Sequence, residues 1–307
     1  PFAVGGCVGV AAGILLYKAC DFGRSDKAIA QGKKTAKKKQ RKFVQRGSQG
    51  GVHGKAAAED AEVRGPGREV LCQDALQWLE ELPAEGLPPG TTVITGIPDI
   101  HEVDPDGQMG LEGWKAWYRK AIVLILRAVP NDGFAIFMQT DIKAASDGST
   151  GQKLCGGDYW EWVDKAHLAL LAAAEVPRAR LLWHKIICSS PLHTGGGRNS
   201  GVAGYSHYLC FSTSASPAPV ESFPFPDTMR KGLSTWVSGS GTYVVELTCS
   251  YLQAHGCKRV VDPFCGEGCV LAIANAFGIS SMGVEICKKR SRMARTLDGQ
   301  ALLAACS

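Results

Sequence analysis

No two cysteines in this 307-residue chain have CxxC spacing; the twelve are scattered along it. A structural zinc site is thereby disfavoured. A disulfide between Cys265 and Cys269 would close over a glycine turn that a ligand must approach. Reduced thiols in an intracellular compartment are expected. His184, His193 and His207 lack metal-ligand spacing and read as packing, hydrogen-bonding or substrate-loop residues, so no metal is expected. A full membrane span is missing from the amino end. Phe2 to Tyr17 is uncharged for only sixteen residues, where a spanning helix needs about 20. A single-pass anchor, an uncleaved signal-like segment and a transit remnant stay open, and with them contact with a membrane. The chain starts on Pro1, as a fragment or processed product would.

Acid is missing from Lys33 to Arg46, where eight residues are Lys or Arg. Such a run cannot build a core and is expected to be disordered. It reads first as a solvated linker, with nuclear targeting, nucleic-acid tethering and anionic-lipid contact as the functional alternatives. Residues 1–70 hold 14 Lys and Arg against 6 Asp and Glu, while the rest of the chain holds 20 against 23. The overall +5 therefore belongs to the tail, and the remainder lacks a general basic excess. Residues 1–68 are expected to form a hydrophobic segment plus basic tail, and residues 69–307 one α/β domain.

What is present is most informative near the carboxyl end. Residues 258–286, KRVVDPFCGEGCVLAIANAFGISSMGVEI, predict a strand (Arg259 to Val261), a glycine turn (Gly266 and Gly268), a helix (Val270 to Phe277) and a second strand (Met282 to Ile286). Glu285 closes the unit, where a carboxylate at the tip of the second parallel strand can accept from two ribose hydroxyls. A dinucleotide fingerprint wants glycine or alanine where this chain has Leu271, and a pyrophosphate disfavours the acid Glu267 in the turn. S-adenosylmethionine (AdoMet) carries no phosphate. Its cationic sulfonium and zwitterionic methionine end tolerate Asp262 and Glu267, which favours AdoMet over NAD.

The stretch DPFCGEG, Asp262 to Gly268, resembles the AdoMet-binding motif of the permuted (β-class-like) amino-methyltransferases, which methylate adenine or cytosine amino groups in nucleic acids. The resemblance implies a Rossmann-like class I methyltransferase fold. That is a mostly parallel, doubly wound α/β sheet with a terminal antiparallel hairpin, in circularly permuted order with the catalytic half before the cofactor half. It implies AdoMet as cofactor, held by Asp262, Phe264, Gly266, Gly268 and Glu285, with Ser238 and Gly239 of TWVSGSG as the loop for the cofactor carboxylate. Residues 69 to 103 resemble the segment in which an acidic turn and short helix lead to the catalytic strand. The helix is expected from Asp74 to Leu82 and the strand from Thr91 to Thr95.

At the catalytic loop the likeness is incomplete. The family places Asp, Asn or Ser, then Pro, Pro and an aromatic; here stand Gly96, Ile97, Pro98 and Asp99. A carbonyl of Gly96 or Ile97 can still accept an amine hydrogen, and Pro98 keeps the loop rigid. The stacking ring is missing, with His101 and Trp183 as candidates to replace it. Asp99 and Glu102 are candidate acceptors or bases, and Asp141 a weaker one. GIPDIHEV also fits a helix cap at Asp99.

Further elements are expected as helices over Trp114 to Val129 and Tyr159 to Val176, and strands over Phe134 to Gln139, Leu181 to Cys188 and Tyr205 to Ser212. The last two resemble the family's closing hairpin, with Trp183 to Lys185 matching its WxK. Glycine-rich loops over Ser146 to Asp158 and Ser189 to His207 carry Lys153 and Arg198 and suit closure over a substrate. They are too short for a target-recognition domain, so RNA or a single strand is favoured over duplex DNA. Three readings follow: a nucleic-acid methyltransferase, a methyltransferase on a small molecule or protein, and a binding protein that has lost catalysis.

Overall fold

A computed structural model describes residues 66–144, 161–188, 203–215, 225–235 and 239–305. Its elements run β1 (Arg68–Leu71), α1 (Ala75–Glu80), β2 (Thr91–Thr95), α2 (Ile100–Val103), α3 (Gly110–Ala128), β3 (Phe134–Gln139), β4 (Ile142–Ala144), β5 (Glu161–Val163) and α4 (Lys165–Ala174). They continue with β6 (Arg180–Cys188), β7 (Tyr205–Ser212), β8 (Thr228–Arg230), α5 (Thr242–Ala254), β9 (Arg259–Asp262), α6 (Cys269–Ala276), β10 (Ser280–Val284), α7 (Lys288–Thr296) and α8 (Gly299–Ala304).

Among the described residues, eight strands make one sheet in the order β1-β10-β9-β2-β3-β7-β6-β8. The first five in that order are parallel to their neighbours, β7 is antiparallel to both β3 and β6, and β8 is parallel to β6. The early strand β2 lies directly beside the late strand β9, Thr91 against Arg259 and Val93 against Val261. Two segments far apart in sequence thus present their carboxyl ends at one sheet edge.

The central strands are buried on both faces, which is why β3 reads FAIFMQ rather than alternating apolar with polar. Ala135 and Phe137 point into a core shared with α1, α3 and α4, while Phe134, Ile136 and Met138 meet α5 and α6 on the other face. Trp114, Tyr118, Ile122 and Ile125 recur at helical spacing along α3 and are fully buried. Pro130 holds Val129 in an extended conformation and ends that helix.

Three expectations change. Residues 159–176 are not one helix: Glu161–Val163 pairs antiparallel with Ile142–Ala144, and the helix starts only at Lys165, capped by the Asp164 carboxylate on the His167 N–H at 2.9 Å. A strand, β1, precedes the first helix and forms the far edge of the sheet beside β10. A second short strand, β8, follows the proline-rich connector. Neither three- nor four-residue strand is long enough to show a period of two. Residues 2–17 and 33–46 lie outside the described residues.

Candidate active site

The loops after β2 and β9 face each other across a cleft. Gly96 comes from the first loop and Asp262, Phe264, Gly266 and Glu267 from the second, with Thr235 and Gly239 entering before α5. The two halves are joined by a buried hydrogen bond from Thr95 Oγ1 to Asp262 Oδ1, 2.7 Å. The Phe264 N–H donates to the same oxygen at 3.1 Å. Burial pushes the Asp262 carboxyl up to about 7, against the pull of these two hydrogen bonds, and the Glu285 carboxylate adds to the rise.

The elbow depends on two left-handed glycines. Gly266 has φ 53°, and Gly268 has φ 85° as the residue that opens α6. A Cβ on Gly268 would stand 2.7 Å from Ala294 Cα. Its role is therefore to let α7 pack against the elbow, whereas Gly266 lies on the cleft wall. Burial also raises the Glu267 carboxyl, opposed by the charges of Arg290 and Lys289. Glu285, just past β10, is 7% exposed and accepts the Cys287 N–H at 2.7 Å through Oε1.

On the other side, the Gly96–Asp99 loop is clamped at its end. The indole of Trp114 donates to the Pro98 carbonyl at 3.3 Å. Asp99 forms an ion pair with Lys165, whose side chain is 2% exposed and lies over the rings of Trp114 and Tyr118. Asp99 also precedes α2 as its cap, and Glu102 closes that turn by accepting the Asp99 N–H at 3.2 Å. No turn, loop or side-chain hydrogen bond among the described residues uses the carbonyls of Gly96 or Ile97. A Cβ on Gly96 would meet the Met138 carbonyl oxygen at 3.2 Å, so a larger first loop residue needs that strand to give slightly.

The backbone N–H of Lys165 is itself held by Asp141 Oδ1 at 2.9 Å. Asp141 Oδ2 accepts from Trp162 Nε1 at 2.9 Å and Tyr205 Oη at 3.3 Å, and lies 3.0 Å from His207 Nε2. Burial alone would raise this carboxyl, but the hydrogen bonds, that of His207 foremost, hold it below its ordinary range. His184 Nε2 continues the chain to His207 Nδ1 at 2.9 Å. Asp141 thus connects the clamp on the Gly96–Asp99 loop to a polar row at the carboxyl ends of β3 and β6 and the amino end of β7.

Of the residues singled out from the sequence, Gly96, Gly239, Asp262, Phe264 and Gly266 line one cleft. Trp183 does not join them. It is 7% exposed and packs on Tyr208 in the core of the α5–α6 face, so it belongs to the interior. His101 sits on α2 with Nδ1 buried and without a partner among the described residues. Ser238 and Arg198 lie outside the described residues.

Sequence reasoning missed Thr95, Thr235 and Lys165. Thr235 Oγ1 is buried in the cleft wall and has no partner among the described residues. Lys165 was hidden inside an expected helix, and no signal in a single sequence pairs it with Asp99.

No family model matches the chain, and no curated protein does. Among solved structures, a presumed DNA modification methylase from Thermus thermophilus, complexed with S-adenosyl-L-methionine, superposes with a TM-score of 0.51 at 15% identity, over 74% of this chain and 91% of that one. The cytosine-N4-specific PvuII DNA methyltransferase superposes with a TM-score of 0.51 at 12% identity, over 79% of this chain and 94% of that one. The sheet, its helical layers and its antiparallel end are therefore those of the Rossmann-like methyltransferase fold.

Proposed function

We propose that the chain is an AdoMet-dependent methyltransferase acting on a base nitrogen of a nucleic acid, built in permuted order. The observation that carries this reading is that the DPFCGEG elbow and the Gly96–Asp99 loop share one cleft and are bonded together through Thr95 and Asp262.

The cleft residues fit the cofactor. Asp262 and Glu267 are half- or fully buried acids suited to a cationic ligand, and Glu285 keeps Oε2 for hydroxyls, its Oε1 being taken by the Cys287 amide. The orphaned Thr235 hydroxyl, beside Gly239 and the amino end of α5, suits a carboxylate. AdoMet bound there supplies an electrophilic sulfonium methyl.

The chain's own residues must then orient the acceptor amine, whose surplus proton passes to solvent once the methyl has moved from sulfur to nitrogen. With the Pro98 carbonyl already accepting from Trp114, the Gly96 and Ile97 carbonyls, which take part in no turn, loop or side-chain hydrogen bond among the described residues, are assigned to the amine hydrogens. Accepting those hydrogens directs the nitrogen lone pair toward the methyl. Pro98 and the Asp99–Lys165 pair hold these carbonyls in place, with Glu102 closing the turn. We assign Asp99 and Glu102 to fixing the loop. The stacking ring absent from the loop leaves base capture to other groups at the same edge, where His101 lies.

The two solved structures compared above are named as DNA enzymes, so the RNA preference rests on the short glycine-rich loops and the net acidic charge after residue 70. The experiment is radiolabelled methyl transfer from AdoMet to total RNA, single-stranded DNA, duplex DNA and protein fractions. Transfer to a nucleic-acid fraction supports the reading, and transfer confined to protein or small molecules overturns it. A second reading, AdoMet binding without turnover, draws on the loss of both the polar and the aromatic loop side chains. Binding by calorimetry with no transfer to any fraction would establish it.

A further inference from the structure

Helix α7 contradicts two local rules. Lys288 and Lys289 put cations in the first turn, where the helix dipole favours anions. Lys288 with Arg292, and Arg292 with Arg295, are like-charged neighbours four and three residues apart, which destabilises a helix. Altogether Lys288–Thr296 holds five basic residues and no acid.

The helix is held instead by its inner face. Ala294 packs with Val70, Cys265 and Leu271, and the Arg295 guanidinium donates to the Val70 carbonyl at 2.8 Å. Lys288, Lys289 and Arg292 are exposed. Elsewhere Lys115, Arg119, Lys120, Lys165 and Lys185 are each matched with a carboxylate, in a chain whose residues after 70 are net acidic. Among the described residues, Lys288, Lys289 and Arg292 make no ion pair. Unneutralised like charge on a well-packed helix, against local preference, marks a surface kept for an anionic partner.

Its location identifies the partner. The helix packs through Ala294 on Gly268 of the elbow, next in sequence to Glu267 on the cleft wall, and that carboxyl feels the charges of Arg290 and Lys289. The basic face therefore starts at the cleft rim and extends outward for a nine-residue helix, a length of about 14 Å. We infer that α7 is a phosphate-backbone contact that lays a nucleic-acid strand past the cleft, an inference that rests on the function proposed above. Cations at this spacing position a strand without reading its bases.

The test compares the full chain with the Lys288→Gln/Lys289→Gln/Arg292→Gln variant, binding a fluorescent single-stranded oligonucleotide across about 50 to 200 mM salt. Removing three phosphate contacts should make the slope of log affinity against log salt shallower by about 2. KM for the oligonucleotide should rise, while kcat at saturation stays as in the parent and the melting temperature stays or rises, since like charges are removed from the helix. Neutralising Lys37, Lys38 and Lys39 in a second variant measures the tail's share separately. An unchanged slope alongside intact methyl transfer overturns the inference and leaves the proposed function standing. A shallower slope with no methyl transfer to any nucleic acid supports α7 as a backbone contact but removes the function. Loss of binding to phosphatidylserine–phosphatidylcholine vesicles with an unchanged oligonucleotide slope also overturns it.

Discussion

If Asp262 faces the cationic end of the cofactor, AdoMet affinity must follow its ionisation. Burial and the neighbouring Glu285 leave the Asp262 carboxyl titrating near about 7. In the free protein it is then about one-tenth ionised at pH 6 and about nine-tenths ionised at pH 8. A cationic group favours the charged form, so affinity should rise about tenfold between those pH values. Calorimetry at constant ionic strength measures it, with Asp262→Asn as control: weaker than the parent at pH 8 and nearly flat across the range. The free protein's stability should move the opposite way. A carboxyl raised on folding contributes stability fully present below its unfolded pKa and lost as pH rises through about 7. The Asn variant should therefore lose less stability than the parent between pH 5 and 8. A pH-independent Kd in the parent, or equal affinity in Asp262→Asn, would refute the assignment of Asp262 to the cofactor.

Three further outcomes are expected. Lys165→Met should lower kcat while AdoMet Kd stays constant, and should lose about 3 kcal/mol of stability because Asp99 keeps a buried charge without its partner. Lys165→Met/Asp99→Leu should regain most of that stability in denaturant unfolding without regaining the turnover. Gly268→Ala should cost about 2 kcal/mol, from its left-handed φ of 85° and the 2.7 Å approach to Ala294, and calorimetric melting would detect it. Thr235→Val should leave melting unchanged or raise it, since an orphaned buried hydroxyl is removed, yet weaken AdoMet about tenfold if that hydroxyl serves the ligand's carboxylate.

What could be read from the sequence was whatever is encoded locally. The boundaries of β2, β3 and β7 match the sequence expectation residue for residue, because each is a short buried run bracketed by turn residues. The elbow is visible because glycine is the residue that tolerates its backbone, and an acid seventeen residues on can only be a strand tip if the unit is βαβ. The three-residue strands β4, β5 and β8 carry no period and escaped notice, and β5 was absorbed into an apolar stretch that resembles a helix.

Only the tertiary structure could decide the work of particular side chains. The DPFCGEG stretch by itself determined the elbow and, through it, the class of ligand to expect. Folding decided that Asp99 is neutralised by Lys165, that Trp183 faces the core, and that Gly268 accommodates α7. Pairing and burial are set by residues distant along the chain that the sheet order brings together. Backbone conformation and periodicity are set by neighbours, which is why only they can be read in sequence.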